Sequence, residues 1–247
     1  MGYSERNIVI LGGTGGIGSA VARRLSERGA ELMVAARGEE GLARVADETG
    51  AHTRQVDATR PEEVDALFEH AADAMGGVDA AINCVGSILI KPAHRTGLDE
   101  WEETKGLNLD TAFYTVQAAA KRMQRDGGAI VLVSTAAAQI GLANHDAIAA
   151  VKAGVEGLTR SAAATYAGRG IRVNCVAPGL VETPLSEPLT SSEQTRKFSL
   201  GMHPVGRLGK PEDIASAIDW LVDDEQSWVS GQVLGVDGGL ATMKTRG

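Results

Sequence analysis

Asn7-Ile8-Val9-Ile10-Leu11 runs directly into Gly12-Gly13-Thr14-Gly15-Gly16-Ile17-Gly18, and the chain continues with Ala20, Val21 and Leu25 at helical spacing. A near-continuous apolar run of this length suits a strand buried on both faces, as in a parallel sheet. Glycines after such a strand let the backbone turn tightly and approach a bound group closely, while the helix that follows offers N–H donors and a partial positive charge. A glycine-rich turn alone is a weak signal. Between a strand and a helix at the head of the chain, it predicts a site for a dinucleotide pyrophosphate, the alternative being a merely structural turn.

Further strands are predicted at 31–36, 52–56, 78–83, 129–134, 172–177 and 232–236, and helices at 17–28, 39–48, 61–75, 99–125 (as two helices), 145–167 and 211–222. Repeated alternation of this kind predicts an α/β fold, a Rossmann-type doubly wound parallel sheet of about seven strands with helices on both faces. Its crossovers are expected to be right-handed. No linker or composition shift divides the chain, so residues 1–247 read as one domain. The segment 182–204, rich in Ser, Thr and Pro, breaks the alternation. It reads as a loop with short helices over the site, either a mobile substrate lid or an ordinary surface excursion.

Composition narrows the partners. The chain has 24 Lys and Arg against 32 Asp and Glu, a formal charge of −8, which argues against a nucleic-acid partner. Hydrophobic residues make up 43% but aromatics only 4%, so the core must be built from Ala, Val, Leu and Ile. Cys84 and Cys175 sit in apolar strand-like runs and read as reduced, buried thiols, with no disulfide framework and no metal site. The first six residues lack the features of a signal peptide, so a cytoplasmic location is expected. Residues 127–144 carry no charge, yet Ser134, Thr135, Gln139 and several glycines interrupt them, and no membrane span or membrane partner is expected.

The second strand bears on the choice of dinucleotide. NAD sites usually end this strand with an acidic residue that accepts the ribose hydroxyls, and here Ala36-Arg37 stands in its place. Arg37 suits charge-assisted bonds to a 2′-phosphate, which favours NADP over NAD. The alternative is a solvated arginine paired with Glu39 or Glu40.

With these features in hand, the chain resembles the short-chain dehydrogenase/reductase family in its single-domain form, over nearly its whole length. Gly12, Thr14, Gly16, Ile17 and Gly18 fall in a stretch similar to the family's TGxxxGxG turn, with Leu11 in place of its Thr. Asp57-Ala58 resembles the adenine contact, and Asn83-Cys84-Val85-Gly86 the NNAG motif. Asn108 falls where the family has its active-site Asn, and Pro178-Gly179 through Val181 to Thr183 resembles the segment beside the nicotinamide. Gly206 to Gly209, Pro211 to Ala215 and Val236 to Gly239 complete the ordered pattern. The resemblance implies an oxidoreductase with a small-molecule substrate, assembled as a dimer or tetramer with two-fold axes. Stretches 110–121 and 151–163, rich in small residues on more than one face, agree with such assembly.

The active site departs from the pattern. The family carries Ser and, thirteen residues on, Tyr-x-x-x-Lys; here Lys152 is kept, Thr135 stands for the Ser, and Ile148 stands for the Tyr. In the family the Tyr hydroxyl exchanges a proton with the substrate oxygen, Lys lowers the Tyr pKa and holds the ribose, and Ser orients the carbonyl. Isoleucine cannot exchange a proton, a step worth about 10² to 10⁴ in rate. Tyr166 lies about 27 Å along the helix, Tyr114 reads as packing, and Tyr3 precedes the first strand.

His145, seven residues before Lys152, is expected two turns up the same helix face, as a neutral ring acting as hydrogen-bond donor in place of the tyrosine. The alternative is a partly exposed His after an Asn144 cap. Thr135 offers the hydroxyl chemistry of Ser, or is a strand-end residue chosen for β-propensity. Three functions therefore stand open: an oxidoreductase on a carbonyl/alcohol pair or an enone with an altered proton donor; a cyclase, dehydratase or isomerase on the same scaffold; and a silent dinucleotide-binding subunit.

Overall fold

The computed structural model describes residues 3 and 6–244. The remaining residues at the two ends, among them most of the stretch weighed as a leader and the outermost part of the expected domain, lie outside the described residues. Seven parallel strands form one sheet in the order β3-β2-β1-β4-β5-β6-β7. They are β1 (Asn7–Leu11), β2 (Glu31–Ala36), β3 (His52–Gln55), β4 (Ala80–Asn83), β5 (Gly128–Val133), β6 (Ile171–Pro178) and β7 (Val233–Val236). The helices between them are α1 (Gly16–Glu27), α2 (Glu39–Thr49), α3 (Pro61–Met75), α4 (Leu98–Lys105), α5 (Thr111–Arg122), α6 (Asp146–Tyr166), α7 (Glu187–Thr190), α8 (Glu193–Gly201) and α9 (Pro211–Val222).

The apolar run of β1 is explained by two cores. Ile8 and Ile10 pack with Val21 and Leu25 of α1 and Ile214 and Ile218 of α9 on one face. Val9 and Leu11 pack with Leu67 and Phe68 of α3 and Val116 of α5 on the other. Because both faces are covered, the strand has no side left for a polar residue. β3, at the sheet edge, is polar and mostly exposed, and it stops at Gln55 rather than Val56. β4 begins at Ala80 rather than residue 78, because the Asp79 carboxylate instead accepts from the Asn7 amide at 2.7 Å.

Three local features differ from the sequence expectation. The stretch 99–125 contains α4 and α5 joined by a wide π-helical turn, Gly106–Asp110, and the helix ends at Arg122. Helix α6 starts at Asp146, so His145 is its N-cap and not a first-turn residue, and Asn144 takes a left-handed φ of 65° instead of capping. Tyr3 proves to be a structural anchor. Its ring lies 3.9 Å beneath the Arg28 guanidinium, and its hydroxyl donates at 2.9 Å to Asp219 Oδ1, which also accepts from Arg28 at 2.7 Å.

Candidate active site

Two adjoining cavities open along the carboxyl ends of the strands, where the strand order reverses between β1 and β4. This is where ligands bind in open α/β sheets. The first cavity, about 380 Å³, is lined by Gly12, Thr14, Gly16, Ile17, Gly18, Arg37, Asp57, Ala58, Gly86 and Thr183, among others. The second, about 480 Å³, holds Asn108, Thr135, His145, Ile148 and Lys152 in its walls, together with Pro178, Gly179 and Val181. Ile17, Gly86 and Thr183 line both, so the two are continuous.

The glycine turn is shaped by what it excludes. A Cβ at Gly18 would stand 2.3 Å from the Gly12 carbonyl oxygen, and one at Gly12, whose φ is +72°, would stand 2.8 Å from the Val85 amide nitrogen. Closely spaced backbone at the start of α1, with no side chain in the way, fits a pyrophosphate. Arg37 projects from the end of β2, exposed and lining the cavity, and it pairs with neither Glu39 nor Glu40. Asp57 binds both the amide and the hydroxyl of Thr59, at 3.0 and 2.7 Å, and these bonds hold its carboxyl below the ordinary range. Asn83 lines neither cavity. Its amide donates to Thr115 on α5 and its carbonyl accepts from Val85 at 2.8 Å, so it shapes the turn that carries Gly86.

In the second cavity Asn108 comes from the π-helical turn. Its amide donates to Ser87 Oγ and to the Thr104 carbonyl, and its Oδ1 accepts from the Ser87 amide. Lys152 is only 6% exposed, and its ammonium donates to the Val133 carbonyl at 2.7 Å. No carboxylate offsets its burial, which pushes the lysine down to about 8. A Cβ at Gly86 would lie 2.9 Å from Asn108 Oδ1 and 3.4 Å from Lys152 Nζ, so these two groups flank the seam between the cavities. Thr135 caps a short turn with its hydroxyl accepting from Ala137, and it stays in the wall. Ser134 is buried and also borders this cavity, but its hydroxyl donates to Glu156 at 3.0 Å.

None of the three tyrosines lines either cavity. His145 does, but its chemistry differs from the expectation. Nδ1 lies 2.8 Å from the Ala143 carbonyl, which can only accept, so Nδ1 carries the proton. The neutral ring therefore offers an acceptor at Nε2, and only the imidazolium offers a second donor. Cys84 also borders both cavities, and burial pushes its thiol up to about 12, which keeps it protonated and unreactive. Among the described residues no three His, Cys, Asp or Glu side chains group to hold a metal, and no helix is long and apolar enough to cross a membrane.

The segment 182–204 covers the second cavity with a short 3-10 turn, α7 and α8. Sequence reasoning named the segment but not the residues that matter: Leu185, Leu189, Phe198, Met202 and His203. His203 is buried, with Nδ1 2.7 Å from the Ser199 carbonyl and Nε2 accepting from the Leu180 amide at 3.0 Å. Both nitrogens are thus satisfied in one neutral tautomer, which ties α8 to the backbone after β6. Gly179 permits this approach, because a Cβ there would stand 2.7 Å from the imidazole nitrogen. The only sequence signal was a His-Pro pair after a helical stretch, which is too common to single out.

Comparison with known proteins agrees with this fold. Residues 12–241 match a family profile described as enoyl-(acyl carrier protein) reductase. The chain is 39% identical over 247 residues to cis-4-hydroxycyclohexanecarboxylate dehydrogenase of Sinomonas cyclohexanicum, covering 98% of each chain. It is 34% identical over 243 residues to the 3-oxoacyl-(acyl-carrier-protein) reductase of Vibrio cholerae, covering 97% of this chain and 99% of that one. A solved short-chain dehydrogenase/reductase from Mycobacterium ulcerans superposes with a TM-score of 0.94 at 29% identity, covering 98% of this chain and 91% of the other.

Proposed function

The chain belongs to the short-chain dehydrogenase/reductase family and is a short-chain oxidoreductase, and from that premise we propose that it uses NADP to interconvert a small-molecule carbonyl/alcohol pair, or to reduce an enone, without a tyrosine proton donor. The observation that carries the reading is the continuous cleft in which Asn108 and Lys152 flank the seam while Ile148, 5% exposed, occupies the wall.

A bound nicotinamide would supply or take up the hydride. The amides of the turn Gly12 to Gly18 would hold the pyrophosphate, Arg37 the 2′-phosphate, and Asp57 with Ala58 the adenine. Lys152 would hold the ribose, and Pro178, Gly179, Val181 and Thr183 would hold the nicotinamide end. Asn83 acts at one remove, by fixing Val85 and Gly86. Thr135 orients the substrate oxygen. His145 exchanges the proton at Nε2: the neutral ring accepts it from an alcohol, and the imidazolium returns it to a carbonyl.

Fluorescence titration of NADPH and NADH into wild type and Arg37→Ala tests the cofactor. Tighter NADPH binding that is lost in the variant supports the assignment, and equal affinities in wild type sink it. His145→Ala is expected to lower cofactor-dependent turnover on a ketone and enone panel by about 10² or more. Full-strength ketone reduction unchanged in that variant would show that the donor assignment is wrong. NADPH binding without turnover of any panel member would instead mark a silent subunit.

A further inference from the structure

Exposed apolar side chains are not spread evenly. Ile88 and Ile90 from the loop after β4, and Leu185 and Phe198 from the covering segment, are all exposed and all line the second cavity. Phe198 is 71% and Leu185 52% exposed, large apolar surface left facing a cleft. Such surface at a cavity mouth marks a site that gains by burying an apolar ligand.

The charged groups point the same way. Among the described residues, the cavity lining contains no Asp, Glu or Arg, and its one lysine is Lys152, committed to the Val133 carbonyl at the reacting end. His203 spends both ring nitrogens on backbone partners. His145 belongs to the reacting end in the proposed reaction. On the flanking segments, Lys91 is closed on Glu100 at 2.7 Å and Arg196 on Glu182. Lys197, beside Phe198 on the covering segment, is exposed and outside the lining, so among the described residues no cation lines the cavity beyond its reacting end, and a carboxylate or phosphate drawn into this wall would be buried unpaired.

We propose that the substrate's non-reacting part is an uncharged hydrocarbon group, a ring or alkyl chain packed against Leu185, Leu189, Phe198 and Met202, and not a carboxylate or a phosphate-bearing carrier. The proposal rests on the oxidoreductase reading of the same site.

The test compares 4-propylcyclohexanone with 3-(4-oxocyclohexyl)propanoate, alike in shape and different in charge. Two readouts are taken: NADPH oxidation, and the thermal midpoint of the NADP-bound protein with each compound added. The ketone is expected to exceed the acid by about a hundredfold in kcat/KM, in line with the cost of an unpaired buried charge. Across 4-methyl, 4-ethyl and 4-propyl ketones, kcat/KM should rise about fourfold per methylene. Leu185→Arg, which adds a cation to the wall, should narrow the gap by about tenfold. Equal binding or turnover of acid and ketone in wild type overturns the proposal, as does failure of the ketone to shift the midpoint. A midpoint shift by the ketone alone, with no NADPH oxidation, would leave this inference standing and overturn the oxidoreductase reading; equal oxidation with both would do the reverse.

Discussion

Lys152→Met should stabilise the folded protein at neutral pH. The buried ammonium is shifted from the ordinary lysine value of 10.5 down to about 8. Between those values the unfolded chain binds more protons than the folded one, so this group's contribution to stability rises with pH through that window. Below pH of about 8 the whole penalty stands, about 3 kcal/mol in all. Methionine removes it, at the cost of the hydrogen bond to the Val133 carbonyl, worth about 1 kcal/mol. The net expectation is a gain of about 2 kcal/mol at pH 7, shrinking as pH rises and reversing to a loss of about 1 kcal/mol once the wild-type lysine is neutral in both states. Urea unfolding of both proteins without nucleotide, at pH 7, 9 and 10.5, measures the difference directly. A difference that does not change with pH, or a methionine variant less stable at pH 7, would refute the account of Lys152 as an uncompensated buried charge. A penalty of this kind persists where function needs the group, so the stabilised variant should also lose cofactor affinity.

Other outcomes follow from the geometry. Gly18→Ala should abolish detectable NADPH binding in calorimetry and cost about 1–3 kcal/mol, because its Cβ meets the Gly12 carbonyl, whereas Gly141→Ala, with nothing within 4 Å, should leave affinity unchanged. Ile148→Tyr should raise ketone reduction while lowering stability by about 1–3 kcal/mol through overpacking; unaltered activity in a folded variant would show that a donor at 148 is not what limits the reaction. Light scattering at micromolar concentration should show a dimer or tetramer that Phe113→Glu dissociates, since the Phe113 ring on α5 is half exposed beside Tyr114; a wild-type monomer refutes the assembly.

Much of this architecture was legible because burial on both faces leaves a simple mark. β1, β2, α3 and α9 begin and end where their apolar patterns do. The glycine turn was legible too, since a close backbone approach admits no other residue. What escaped was set by tertiary contacts. The end of β3 and the start of β4 depend on edge position and on the Asp79–Asn7 bond, which no local pattern reports. His145 looked like a helical residue by spacing, but its N-cap position and its bond to Ala143 decide which nitrogen is left free of the backbone. The apolar lining of the covering segment has no period to read, because Leu185, Leu189 and Phe198 come from a turn and two short helices, and Met202 from the C-cap that follows, and they meet only over the cavity.

The wide turn at Gly106–Asp110 makes α4 and α5 answer to two separate clients. Within it, Asn108 is tied to Ser87 and Thr104 beside Lys152; downstream, Thr115 is tied to Asn83 on the sheet. A π-turn holds one residue more than an α-turn, and each residue swings a helix by about 100°. Deleting a single residue here would restore a regular helix and misalign one of the two clients by that angle. The irregularity therefore works as a phase adjuster, and this stretch should accept substitutions far more readily than any change in its length.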